Sequence, residues 1–220
     1  MKNLTQKFKK KVVSHRRVYG MISKIRGSIK RFLAPRDKYR IKTGSVMPLS
    51  TKFGMDRGTP IDRYWIEKFL NENRKYIKGR CLEVTDNFYT KKFGKGSVKI
   101  GDVLDVDRKN KSANIYGDLK NLKGIVEDET YDCIILTHVL GFIDDLDSAV
   151  SEIYRILKKG GVVLVTTACF SPTYKDSRNF WRILPEGAKY LFSKHFGINN
   201  VSVSSYGNVL AGQCFWVGMS

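Results

Sequence analysis

Acidic and polar side chains recur where short apolar runs end. Glu83 and Thr85 flank the end of Cys81–Val84, Asp105 and Asp107 follow Val103–Leu104, Asp118 follows Ile115–Tyr116, and Thr137 and His138 follow Cys133–Leu136. If these runs are parallel strands, the polar residues lie beyond strand carboxyl ends, where open α/β sheets bind ligands. Carboxylates there suit a ligand with positive charge and hydroxyl donors. A pyrophosphate ligand would want G-x-G-x-x-G before a helix, and that motif is absent. His138 is the best-placed base toward a hydroxyl, since an unperturbed imidazole titrates near about 6.5. The same position also suits a histidine that caps a loop or packs beneath a substrate. His15 and His195 read as structural or solvated. The segment Ser171 to Leu184 carries Tyr174, Trp181 and Arg182, whose aromatic faces and guanidinium suit a sugar, with or without phosphate or carboxylate. Arg63 is the candidate to join them, in a cluster with Asp56, Arg57 and Asp62 that reads either as surface ion pairs or as a lip facing the ligand.

The stretch Tyr131 to Ala168 must position the edge. Cys133–Leu136 is a short apolar run, as a strand buried on both faces should be. Asp144 and Asp145 stand where a helix amino terminus favours acidic caps. Leu146, Ala149, Val150, Ile153, Ile156 and Leu157 recur at spacings of three and four, Lys158 and Lys159 follow, and Gly160-Gly161 stops the helix. Val162–Val165 is the next strand, so the unit is βαβ. Thr59-Pro60-Ile61-Asp62 starts an earlier helix, and Gly79 ends it. Pro185 to Phe196 reads as helix. Val201–Tyr206 and Leu210–Val217 read as two closing strands.

The chain has 220 residues and 42% apolar residues, enough for one α/β domain with an appendage. Its net charge is +19, of which residues 1–45 carry +14, with fifteen Lys/Arg against Asp37. That arm reads as amphipathic helix and residues 46–220 as the α/β domain. A basic amphipathic arm can lie on an anionic membrane, pack on protein, or bind phosphate backbones. Nucleic acid is the least favoured partner, because no aromatic platform interleaves with the charges. The cysteines Cys81, Cys133, Cys169 and Cys214 are far apart and read as reduced thiols, with no metal-ligand spacing. With no signal-peptide block and no run of about 20 apolar residues, a cytoplasmic location is expected, peripheral at the inner membrane face if the arm docks there.

In this order the residues resemble a class I S-adenosylmethionine-dependent methyltransferase over about residues 79–218. The strongest part is the strand led by Asp132, the helix ending IYRILKKGG, and the strand after it. The resemblance implies a Rossmann-like, mostly parallel seven-stranded sheet with an antiparallel last strand. It implies S-adenosylmethionine as cofactor. Glu83 matches the acid of the first motif, Asp107 or Asp105 the ribose-binding acid, and Asp118-Leu119 the motif that meets adenine. Thr137 and His138 match the methyl-transfer end of the fourth strand, with Thr85 in the cofactor loop. FGMDRGTPIDRYWIEKFL and WRILPEGAKYLF resemble a subgroup associated with surface-glycan pathways, which implies O-methylation of a sugar or glycolipid acceptor and a protein partner in glycan assembly. Two alternatives stand beside it, a non-catalytic scaffold of the same fold and an RNA methyltransferase. Two features depart from the pattern. Thr85 and Asn87 replace the glycines of E-x-G-x-G, leaving Asp86 or Asn87 to take any left-handed turn, and the gap from Asp107 to Asp118 is short.

Overall fold

The computed structural model describes residues 48–173 and 178–220. The expected basic arm, residues 1–45, lies outside them. The chain divides into two compact units, one containing residues 48–64 and 208–220 and the other residues 65–207.

The larger unit is built on five parallel strands: β1 (Gly79–Val84), β2 (Val98–Asp105), β3 (Ile115–Tyr116), β4 (Tyr131–Thr137) and β5 (Leu157–Thr166). Their order is β3-β2-β1-β4-β5. Strand order reverses between β1 and β4, which places the ligand crevice at the carboxyl ends of those two strands. Residues alternate between faces with the two-residue period of a strand. Leu82, Ile134 and Leu136 face one apolar cluster with Leu104, Ala149, Ile153 and Ile156. Cys81, Cys133 and Ile135 face the other, with Ile66, Leu70 and Tyr89.

Helices cover both faces. α1 (Ile61–Glu72) contributes Ile66 and Leu70, and α2 (Phe88–Gly94) contributes Tyr89, to the second cluster. α3 (Leu146–Ile156) contributes Ala149 and Ile153, and α4 (Pro185–Phe196) contributes Ala188 and Phe192, to the first. α3 starts as its residues direct: Asp145 caps it, accepting from the Ser148 amide at 3.1 Å. It stops at Ile156, earlier than expected. Leu157 is already in β5 opposite Tyr131, and Lys158 to Gly161 form an irregularity before Val162 pairs with Cys133.

The IYRILKKGG pattern has a visible purpose. The buried Glu152 accepts from the Leu122 amide at 2.8 Å and from Arg155 at 2.8 and 3.0 Å. Arg155 also donates to the Val126 carbonyl at 3.0 Å and to Asp128 at 2.5 Å. The helix thereby holds the loop before β4. Lys158 pairs with Asp132 at 2.9 Å, and Asp132 accepts from the Arg80 amide at 2.7 Å. Gly79 allows this approach: its φ is +68°, and a Cβ there would come within 2.3 Å of the Asp132 carboxylate. It opens β1 rather than ending α1, which stops at Glu72.

In place of the expected seven strands and antiparallel last strand, the described residues form five parallel strands. Val201–Tyr206 pairs with no strand. Tyr206 instead packs its ring 6.2 Å from those of Trp65 and Phe69, and its hydroxyl donates to Glu72 at 2.6 Å. Leu210–Val217 is not a strand either, because α5 (Val209–Trp216) occupies it. Asn208 caps that helix by accepting from the Ala211 amide, and Gly218 follows it at φ +70°. A mostly apolar run this short shows no clear period, so these end signals distinguish helix from strand. Within the smaller unit Val217 accepts from the Leu49 amide at 2.8 Å, and the Phe53 and Phe215 rings are 6.3 Å apart. No helix among the described residues is long and apolar enough to cross a membrane.

Candidate functional site

The carboxyl edge of the sheet gathers several expected residues in the larger unit. β1 delivers Glu83 and, just past its end, Thr85. β2 ends at Asp105, with Asp107 two residues further. β4 ends at Thr137, followed by His138, beside Thr166 of β5.

Glu83 is buried, with 3% exposure, and turned inward. Its carboxylate accepts from the amides of Tyr89 at 3.1 Å and Thr90 at 2.8 Å, so it secures the start of α2. Burial pushes its pKa up, against the pull of these amides. The loop it anchors holds Thr85 at φ +74°, so Thr85, rather than Asp86 or Asn87, takes the left-handed turn. A β-branched residue there is an outlier, costing on the order of 1–3 kcal/mol, so surrounding bonds must hold it. The Thr85 amide donates to the Leu104 carbonyl at 2.9 Å, and its own carbonyl accepts from Asn110 at 2.6 Å.

Asp105 accepts from the Asp107 amide at 2.8 Å and from Asn110 at 2.6 Å. Asp107 is exposed and accepts from the Lys109 amide at 2.9 Å. A carboxylate has about four acceptor sites, so both acids retain capacity toward hydroxyl or ammonium donors. Asp118 is exposed, accepts from the Lys120 amide at 3.0 Å, and lies 3.6 Å from the Lys120 ammonium, which pairs more closely with Asp144 at 2.6 Å. Leu119 is buried at 4% exposure in the first apolar cluster, which gives its side chain a core role.

At β4 the chain turns at His138, φ +56°, a conformation histidine tolerates better than most residues. Its amide donates to the Thr166 carbonyl at 2.9 Å, so the ring's point of departure is fixed by β5. Thr137 pairs with Thr166. The Thr166 hydroxyl oxygen is buried without a hydrogen-bond partner among the described residues, at the edge where a ligand would lie.

The segment past β5 divides its expected residues. Trp181 donates its indole N–H to the Ile143 carbonyl at 2.8 Å, and the residue stays 44% exposed. The polar edge thus pins the segment beside the loop after β4. Arg182 donates to Asn179 at 3.2 Å and to the Trp181, Ser171 and Pro172 carbonyls at 3.1, 3.2 and 3.5 Å. Its guanidinium closes the loop on itself. Tyr174 lies outside the described residues. Arg63 belongs to the smaller unit, 3.8 Å from Asp62. Sequence reasoning passed over Asn110 and Thr166. Neither stands in a motif, and only their partners across strands disclose them.

Residues 101–165 match the family model of a methyltransferase domain. That segment contains Asp105, Asp107, Asp118, Thr137 and His138. The match and the reversing parallel sheet support a SAM-dependent methyltransferase, with S-adenosylmethionine as its cofactor. The donor set fits that group: acids with spare lone pairs end β2, and the β1–α2 backbone takes a turn usually left to glycine. Among solved structures, the chain is similar to a SAM-dependent methyltransferase of Archaeoglobus fulgidus. The identity is 15%, over 60% of this chain and 67% of that one, with a TM-score of 0.48. A SAM-dependent methyltransferase of Thermotoga maritima, described as a possible histamine N-methyltransferase, shows 22% identity. It aligns over 60% of this chain and 73% of that one, with a TM-score of 0.42. Neither likeness is close enough to bear on this chain's chemistry. No curated protein matches the chain.

Proposed function

We propose that this protein transfers a methyl group from S-adenosylmethionine to a hydroxyl of a sugar or glycolipid precursor. The observation that carries the methyltransferase part is the pair of acids, Asp105 and Asp107, ending β2 beside the reversal of strand order, inside the matched segment. When bound, the cofactor supplies an activated methyl group. Asp105 and Asp107 would hold its ribose hydroxyls, Asp118 would lie at the adenine side, and Thr85 would present backbone to it. His138 takes the proton of the acceptor hydroxyl, and the loops position that hydroxyl, so much of the acceleration comes from orientation. The sugar acceptor is supported by the exposed Trp181 side chain beside the loop after β4. Tyr174 remains a candidate for acceptor contact. The basic residues 1–45 would dock the protein on an anionic membrane, where glycolipid precursors and an assembly partner are met.

Calorimetric titration of the full chain with S-adenosylmethionine and S-adenosylhomocysteine tests the cofactor. Heat of binding and a thermal shift are expected, and neither at millimolar ligand would sink the reading. Radiolabelled methyl transfer to sugar and glycolipid acceptors then tests the substrate class; label on RNA instead would replace the sugar with nucleic acid. One observation favours a second reading, a non-catalytic scaffold: Thr85 keeps a side chain where the resembling pattern leaves none. The same titration separates the two.

A further inference from the structure

The chain departs twice from the pattern it resembles, through the glycines missing at Thr85 and Asn87 and the short connection between Asp107 and Asp118. The structure joins these departures at one side chain. We propose that Asn110, on the short connection, is a positioning residue that stands in for the missing glycine by clamping Thr85 in its left-handed turn and tying that turn to Asp105. The inference rests on the cofactor reading only for the identity of the ligand.

The Asn110 carboxamide has two N–H donors. One meets the Thr85 carbonyl at 2.6 Å and the other the Asp105 carboxylate at 2.6 Å. Its oxygen accepts from the Ser112 amide at 2.9 Å, so the side chain is held at both ends. The backbone of Asn110 is held as well. Its amide donates to the Asp107 carbonyl at 3.0 Å, and the Tyr116 hydroxyl lies 3.0 Å from its carbonyl. The connection from β2 to β3 holds no helix, and the Asn110 side-chain amide reaches across from it.

Thr85 is therefore gripped from both sides. β2 takes its amide through Leu104, and Asn110 takes its carbonyl. Glycine reaches φ near +74° without steric cost, whereas threonine does not. Two bonds from neighbouring elements can hold what glycine adopts unaided. The same amide orients Asp105, so the loop after β1 and the acid at the end of β2 move as one piece.

A double-variant cycle with calorimetric S-adenosylmethionine binding decides this. Asn110→Ala is expected to weaken binding by about tenfold or more, from loss of a charge-assisted and a carbonyl bond. Thr85→Gly alone changes the loop that faces the cofactor, so its own affinity is the reference against which Asn110→Ala is read in that background. Thr85→Gly in the Asn110→Ala background should recover most of the loss, because glycine no longer needs the clamp. Asn110→Ser replaces the alanine variant if that variant does not melt cooperatively. Unchanged binding in Asn110→Ala overturns the proposal. Weakened binding that glycine does not rescue also overturns it, since Asn110 would then act through Asp105 alone. If the parent binds no cofactor, the cofactor reading falls, and hydrogen exchange at residues 84–88 judges the clamp. Exchange about tenfold faster in Asn110→Ala supports it, and unchanged exchange overturns it.

Discussion

The two ends of the parallel sheet use carboxylates differently. Toward the amino end of β4 Asp132 meets Lys158 at 2.9 Å, and within β2 Asp102 meets Arg80, near the start of β1, at 2.7 Å. The Arg80 amide and the Lys158 ammonium hold the Asp132 carboxyl below the usual carboxylate range. At the carboxyl ends, Asp105 and Asp107 accept from backbone amides and from Asn110, and neither has an ion pair among the described residues. An acid with a cation beside it is committed to the fold. An acid held in place by neutral donors keeps its charge and spare lone pairs for a ligand.

The largest expected effect lies on the committed side. Glu152→Ala should cost about 3 kcal/mol, because it strands the Leu122 amide and removes the carboxylate that holds Arg155 at two points. Urea unfolding measures it; a loss under about 1 kcal/mol would show that the loop before β4 does not depend on this pair. The uncommitted side should behave in the opposite way. Asp107→Ala should weaken S-adenosylmethionine about tenfold, or about 1.4 kcal/mol, with little change in Tm, since its carboxylate is exposed. Parent-like affinity would assign the ribose hydroxyls to Asp105 instead.

The smallest effect contrasts two buried glutamates. Arg155 holds Glu152 low, so its stabilisation is present above the ordinary glutamate range and is lost as pH falls through its depressed pKa. Burial holds Glu83 high, so its sign is reversed. The stability linked to its protonation is present in acid and is lost as pH rises through its elevated pKa. Between pH 4 and 7, Glu83→Gln should therefore gain on the parent, on the order of 1 kcal/mol per unit of pKa difference. Thermal melts across that range measure the gain, and a constant difference would refute the burial account.

Much of the fold was legible because its signals are local. Asp145, the spacing of Ala149, Val150, Ile153 and Ile156, and Pro185 before an apolar face each act within a few turns of helix. α2 was not legible. Its first residues, Phe88-Tyr89-Thr90, read as the end of a polar loop from Thr85, and its start depends on the buried Glu83 reaching the Tyr89 and Thr90 amides. Only one part of the site was legible, namely which polar residues follow which strands. What each does depends on partners far along the chain. Leu119 turns to the core, and Arg182 spends its donors on carbonyls of its own loop.

The sequence by itself determined the succession of the five strand segments with α1, α3 and α4, the acids that end β2 and the histidine after β4, because periodicity, caps and strand ends are properties of neighbouring residues. Only the tertiary structure decided which of those acids keep free lone pairs, that Thr85 turns where a glycine was expected, and that Asn110 reaches it. Those outcomes depend on hydrogen bonds between residues distant in sequence, whose geometry exists only once the strands lie side by side.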